Sequence, residues 1–161
     1  MTVKSKGIGL AGVLLACTAM PMQARADDTR FDSPIVGSSP NAPLAGVPSG
    51  GAPWVVSRGR ARLESDGSLE IEVTGLLLSG GADIGTTGGI PEVAASVVCG
   101  AVVPPQATTD PVIFPPSGSF EIRAHVTLPE PACQGAVVLI RIVRPVNTAP
   151  AAYIALTGVL D

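Results

Sequence analysis

Past residue 26 this chain has no lysine, a single histidine and few aromatic rings. Its rings are Phe31, Trp54, Phe114, Phe120 and Tyr153. Each shortage narrows the function. Without lysine, every cation beyond the leader is an arginine. An acidic body lacking a basic patch argues against nucleic acid and against adsorption to anionic lipid. Five rings offer no stacking platform for sugars. One histidine with two cysteines that are expected to be bridged to each other cannot make a usual zinc site. No 3.6-residue apolar period follows residue 26, which excludes a helical body.

The start of the chain is what the shortages leave in view. Lys4 and Lys6 precede an apolar run over Gly7–Ala16, and Ala24-Arg25-Ala26 is a small-x-small site before Asp27-Asp28. That is the layout of a bacterial secretory signal peptide cleaved after Ala26. The run is short for a membrane span, which needs about 20 residues. Leu14-Leu15-Ala16-Cys17 offers a rival, because it resembles the lipobox of bacterial lipoproteins, in which the cysteine becomes the acylated N-terminus. Leu15 departs from the small or β-branched residue favoured there. Acylation at Cys17 would tether a soluble body to a membrane. Cleavage after Ala26 removes Lys4, Lys6 and Arg25 and no acid, so ten basic residues against thirteen acidic become seven against thirteen.

Export decides how the cysteines are read. Cys99 and Cys133 remain, and a pair in an exported chain suggests a disulfide. Closing a loop of about 35 residues is worth roughly 3.8 kcal/mol in the chain-entropy model, before native strain is subtracted. That is a large part of a typical stability of about 5–15 kcal/mol.

Residues 27–53 read as irregular. Pro34, Pro40, Pro43, Pro48 and Pro53 alternate with Gly37, Gly46, Gly50 and Gly51, and prolines at this density suit neither a ladder nor a helix. The segment is a tether or a strap, with Phe31, Ile35, Val36 and Leu44 apolar enough to dock. Trp54 opens the ordered body, residues 54–161, and is expected to pin the strap to the core.

Residues 60–73 carry the clearest pattern. Ala61 and Leu63 alternate with Arg60, Arg62 and Glu64; past Ser65-Asp66-Gly67, Leu69, Ile71 and Val73 alternate with Glu70 and Glu72. Period two around an Asp-Gly turn is a β-hairpin. A three-residue loop ending in Gly67 sets Leu63 against Leu69 and Ala61 against Ile71, with Arg62 opposite Glu70 and Arg60 opposite Glu72. Residues 93–103 are small and apolar on both faces, as in a central strand. Phe120–Leu128 alternates like a half-buried strand, residues 136–143 are rich in Val and Ile, and Tyr153–Val159 closes the domain. The fold class expected is all-β: an immunoglobulin-like or Greek-key β-sandwich of about seven strands.

Three blocks carry a resemblance. They run from Pro53-Trp54-Val55-Val56 to Val73-Thr74-Gly75-Leu76, from Val93 to Cys99, and from Pro150 to Ala155. Together they resemble a group of small secreted bacterial β-sandwich proteins, a likeness that implies no activity. The Asp-Gly hairpin and Val73-Thr74-Gly75-Leu76 are also similar to the chordin-type repeat domain, whose paired histidines this chain lacks.

Candidate chemistry is sparse. His125 sits on the polar side of its strand, and sequence shows neither an orienting partner nor a nucleophile. Asp66, Asp83 and Asp110 are too far apart along the chain for a calcium loop. Paired carboxylates of the glycosidase kind can come from distant strands, but Glu70 and Glu72 already face arginines. The Gly-rich loop 79–91 has no Lys-Ser/Thr after it to make a phosphate cradle, and suits recognition instead. The expectation is a secreted or periplasmic, non-enzymatic binding or structural module with no catalytic residue, metal or cofactor. Its partner would be a protein or surface ligand, with no nucleic acid and no membrane unless Cys17 is lipidated. A tethered lipoprotein and a small hydrolase using Glu92, Asp110 or His125 are the alternatives.

Overall fold

The computed structural model describes residues 29–100, 104–129, 133, 135–145 and 149–157. The signal peptide, Cys17 and the Ala26 cleavage site lie outside the described residues, as do the ends of the strands expected to reach residues 103 and 159. The described residues are all-β. In chain order the strands are β1 Thr29–Gly37, β2 Trp54–Glu64, β3 Ser68–Leu78, β4 Glu92–Cys99, β5 Ala107–Thr108, β6 Val112–Ile113, β7 Phe120–His125, β8 Ala136–Val143 and β9 Tyr153–Thr157. They form one antiparallel path, β5-β4-β8-β9-β1-β2-β3-β7, with β6 also paired to β4. The sheet curls into a half-barrel. Nine strands therefore stand where about seven were expected, and the sheet is continuous.

The hairpin register is the expected one. Leu63 pairs with Leu69, Ala61 with Ile71, Arg62 with Glu70 and Arg60 with Glu72. Gly67 takes φ 93° and donates its N–H to the Glu64 carbonyl at 3.1 Å. Ile71 then meets Ile122 on β7, and both are buried. Burying such a side chain contributes about 1.5–3 kcal/mol.

Residues 29–53 hold the main departure. Thr29–Gly37 is a strand, although the segment 27–53 reads as irregular by composition. Beneath its prolines lies period two: Ser33 and Ile35 are buried while Pro34 and Val36 face out. Pro34 has no N–H to give a ladder, and it sits where β1 changes partners. Up to Pro34 the strand pairs with β2; from Ile35 it pairs with β9. One strand thus joins the two arms of the sheet. The crossing is tight, since a Cβ on Gly37 would lie 2.0 Å from the Trp54 carbonyl oxygen.

A second switch bends the other arm. Leu69, Ile71 and Val73 point inward on odd positions, but Leu76 and Leu78 do so on even ones. Gly75 lies between them with φ 65°, a backbone state that inverts the pleat and that side chains rarely adopt. Across from it β2 inverts too, burying Ala61 and Leu63 on one parity and Trp54 on the other.

Between the arms lies one core. Leu63, Leu69, Ile71 and Ile122 from one side pack with Val93, Val97, Val138 and Ile140 from the other. β4 is buried on both faces, as its two-sided apolar pattern implies. Its outer residue Val98 joins Leu139, Tyr153 and Val47 in a second cluster. Val47 comes from the strap, so residues 38–53 do dock, through Val47 with Leu44 packed beside it. The Tyr153 hydroxyl donates to the Ala42 carbonyl. Trp54 is buried as expected; its N–H donates to the Ser38 carbonyl at 2.9 Å, and its ring lies 6.4 Å from that of Phe114. Cys99 at the end of β4 is bonded to Cys133, with Cα atoms 4.6 Å apart.

Two stability outcomes follow from this arrangement. Gly37→Ala and Gly75→Ala should each lower the unfolding free energy by about 1–3 kcal/mol in urea titrations. Gly51→Ala, where a Cβ meets nothing within 4 Å and φ is not positive, should cost less. Cys99→Ala with Cys133→Ala should cost up to roughly 3.8 kcal/mol relative to the oxidised chain.

Candidate functional site

The outward face of β1, β2, β3 and β7 carries most of the described charge, and local alternation puts it there. On β2 the residues Arg58, Arg60 and Arg62 are exposed while Ala61 and Leu63 are buried. On β3 the exposed residues Glu70 and Glu72 alternate with Leu69, Ile71 and Val73. β7 adds Glu121 and Arg123.

Cross-strand register does not decide the ion pairs. Arg60, opposite Glu72, reaches the Asp32 carboxylate on β1 with two nitrogens. Arg62, opposite Glu70, reaches Glu64 at 2.7 Å. Glu70 instead receives Arg123 at 3.0 Å, and Arg123 also bonds Glu121. The arginine side chains are long enough to choose among neighbours, so the expected pairs give way to one group of ion pairs on β1 and β2 and another on β3 and β7. Hydrogen bonds from Arg60 hold the Asp32 carboxyl below the usual carboxylate range, despite a small opposing effect of burial.

Glu70, Glu72 and Glu121 bring carboxylate oxygens within 4.8 Å of one another. All three are exposed, and Arg123 already gives Glu70 and Glu121 a guanidinium partner. Sequence had placed Glu70 and Glu72 on one face; the approach of Glu121 depends on β3 pairing with β7, which no local pattern shows.

A groove of about 500 Å³ runs between β7 and residues 106–112. Its lining includes Thr108, Thr109, Asp110, Ile122, Arg123 and His125. Two of the three residues named for a hydrolase, Asp110 and His125, share this groove, whereas Glu92 is outside it and pairs with Ile113. The nearby hydroxyls are engaged locally. Thr109 Oγ1 accepts the Ala95 N–H at 3.1 Å and donates to the Asp110 carbonyl at 3.0 Å. Thr108 Oγ1 and Ser96 Oγ are 2.9 Å apart. His125 is exposed, paired with Ser68 across the ladder, and close to Asp66. That carboxylate accepts the Ser68 N–H at 2.8 Å and the Ser68 hydroxyl at 3.1 Å. These bonds, the backbone one first, hold Asp66 below its ordinary range.

The loop 79–91 is stitched rather than open. Leu78 donates to Thr86, Gly85 to Leu78, and Ile90 to Thr87. Arg144 donates to the Gly88 carbonyl at 2.8 Å. Asp83 gives its carbonyl to Thr86, so it serves a turn. Ile84 at the tip is exposed.

Arg141 was not singled out by sequence. It stands on β8 and donates to the carbonyls of Ala151, at 2.8 Å, and Pro150, fixing the approach to β9. Burial lowers its pKa. No helix among the described residues is long and apolar enough to cross a membrane. Comparison with protein-family models, curated proteins and solved structures gives no match.

The lowered Asp32 pKa fixes a sign. Its ion pair stabilises the fold above the unfolded carboxyl pKa of about 3.9 and is lost as pH falls through the depressed native value. Asp32→Asn should therefore lower Tm at pH 7, by no more than about 4 °C for so exposed a pair. Thermal scans at successively lower pH should show the gap between variant and parent shrink.

Proposed function

We propose that this chain is a secreted or periplasmic, non-enzymatic module that binds a protein or surface ligand, or builds structure, outside the cytoplasm. The observation that carries the reading is the Cys99–Cys133 bond. Disulfides persist in oxidising compartments and are rare in the cytosol. The leader over residues 1–26 supports the same destination. We take the two arms as layers of a Greek-key-related sandwich sharing β1, a reading supported by the common core between them. On this view the chain sits with the small secreted bacterial β-sandwich proteins it resembles. Its contact surfaces are the loop 79–91, with Ile84 at its tip, and the strap.

A hydrolase is the second reading, favoured by Asp110 and His125 sharing one groove. Against it stand the local engagement of Thr108 and Thr109 and the lack of any Asp110–His125 hydrogen bond among the described residues. A lipoprotein tethered through Cys17 is the third.

Intact mass of the exported protein is the test. A chain starting at Asp27, lighter by two hydrogens than its reduced form, is the expected result. An acylated chain starting at Cys17 selects the tether. A full-length chain with Cys99 and Cys133 unbonded, recovered only from the cytosol, contradicts export.

A further inference from the structure

The sequence holds one Asp-Gly pair, Asp66-Gly67, and no Asn-Gly. The hairpin demands the glycine. Position 67 takes φ 93°, a state that side chains rarely adopt. A Cβ there would also run into the Val126 carbonyl oxygen. The consequence is chemical. Glycine has no side chain to shield its own amide nitrogen, and that nitrogen follows directly on a residue whose carboxyl carbon can close a ring with it.

Ring closure joins the Gly67 nitrogen to Asp66 Cγ and breaks the bond from Cγ to one carboxyl oxygen. That oxygen leaves as water, carrying the carboxyl proton and the amide proton. Water then opens the succinimide at either carbonyl. Opening at the main-chain carbonyl leaves Gly67 attached through Cγ. The chain now runs through Cβ and is one atom longer, and the old main-chain carbonyl has become a carboxylate. Water is the only co-reactant.

The native turn withholds both reactants. Ser68 donates its N–H to Asp66 Oδ1 at 2.8 Å and its hydroxyl to Oδ2 at 3.1 Å. Both carboxyl oxygens are thereby drawn toward residue 68, and the bonds favour the ionised form. That form is a poor electrophile, because the departing oxygen must carry protons. Gly67 donates its N–H to the Glu64 carbonyl at 3.1 Å, and its own carbonyl accepts the Val126 N–H at 2.8 Å. Its peptide groups are thus fixed on both sides, and Gly67 is buried while Asp66 is exposed to water. We propose that Asp66 is a site of succinimide-mediated isomerisation that the native turn keeps closed, with the Ser68 clamp on its carboxylate as the guard. An isomerised chain cannot rebuild this turn, since an extra main-chain atom precedes Gly67 and the carboxylate has moved away from Ser68. The register that sets Leu63 on Leu69 then loses its fixed point. The modification therefore marks chains whose hairpin has opened. This does not depend on the binding-module reading.

Peptide mapping that separates aspartyl from isoaspartyl forms tests it. The exported protein is incubated at neutral pH, in buffer and in guanidinium chloride above its unfolding transition. The unfolded chain should isomerise at Asp66 at least about tenfold faster than the folded one. Ser68→Ala removes one of the two bonds to the carboxylate. It should speed isomerisation of the folded chain about two- to tenfold, the range of one net hydrogen bond. Ser68→Thr keeps the hydroxyl and should stay near the parental rate. Denaturant melts on the same samples show that the variants are folded. Equal rates in the folded and unfolded parent overturn the proposal, and this comparison decides it even if Ser68→Ala does not fold. A folded Ser68→Ala that isomerises at the parental rate overturns it too, and so does a folded Ser68→Thr that isomerises as fast as Ser68→Ala.

Discussion

The structure depends on one strand holding two sets of hydrogen bonds in succession. β1 pairs with β2 through five of its first six residues and with β9 through its last three, and the two arms have no other shared strand in the path. Everything apolar then follows from the curl that this imposes. The inward faces of β2, β3 and β7 come over those of β4, β8 and β9, so a single core forms between them. Pro34 stands at the handover, where a missing N–H does least harm. Gly37 lets the chain pass against Trp54 at a distance no side chain would permit.

The same curl explains why β4 carries no polar stripe. Its inner side faces the opposite arm. Its outer side lies under the strap, which brings Val47 onto Val98, Leu139 and Tyr153. The strap is held by backbone bonds at each end, Ser38 to Ile154 and Gly50 to Tyr153. The disulfide at the end of β4 closes the long excursion through β5, β6 and β7 before the chain returns as β8. Covalent closure of that loop acts on the unfolded chain, whereas the handover at β1 acts on the native packing.

What could be read in the sequence was whatever repeats locally. Alternation at Ala61–Val73 fixed the hairpin and its register, and the two-sided apolar run at Val93–Val98 marked a twice-covered strand. The Cys99–Cys133 pairing followed from parity and export. Trp54 as a core anchor was legible because it opens an apolar stretch behind a proline. The rest depended on partners distant in the chain. Prolines and glycines masked the period in Thr29–Gly37, and the strand exists because β2 and β9 both need a neighbour. β5 and β6, at two residues each, are too short to leave a pattern. The pairing of β3 with β7 is nonlocal, so neither the Glu70–Glu72–Glu121 grouping nor the Arg123 network could be seen beforehand. The parity change at Gly75 was hidden because Leu76-Leu77-Leu78 is apolar on either reading. The same distance effect joined Asp110 to His125 in one groove.

Hydrogen exchange under native conditions tests the role of β1 most directly. If β1 ties both arms to one core, its amides at Phe31, Ser33 and Ile35 should exchange only by global opening. Their free energies should then match those of Ile71 on β3 and Ile140 on β8, and fall together with them in denaturant. If instead Ile35 exchanges at a markedly lower free energy, or Ile71 and Ile140 open with different denaturant dependences, the arms are separate units and the account fails.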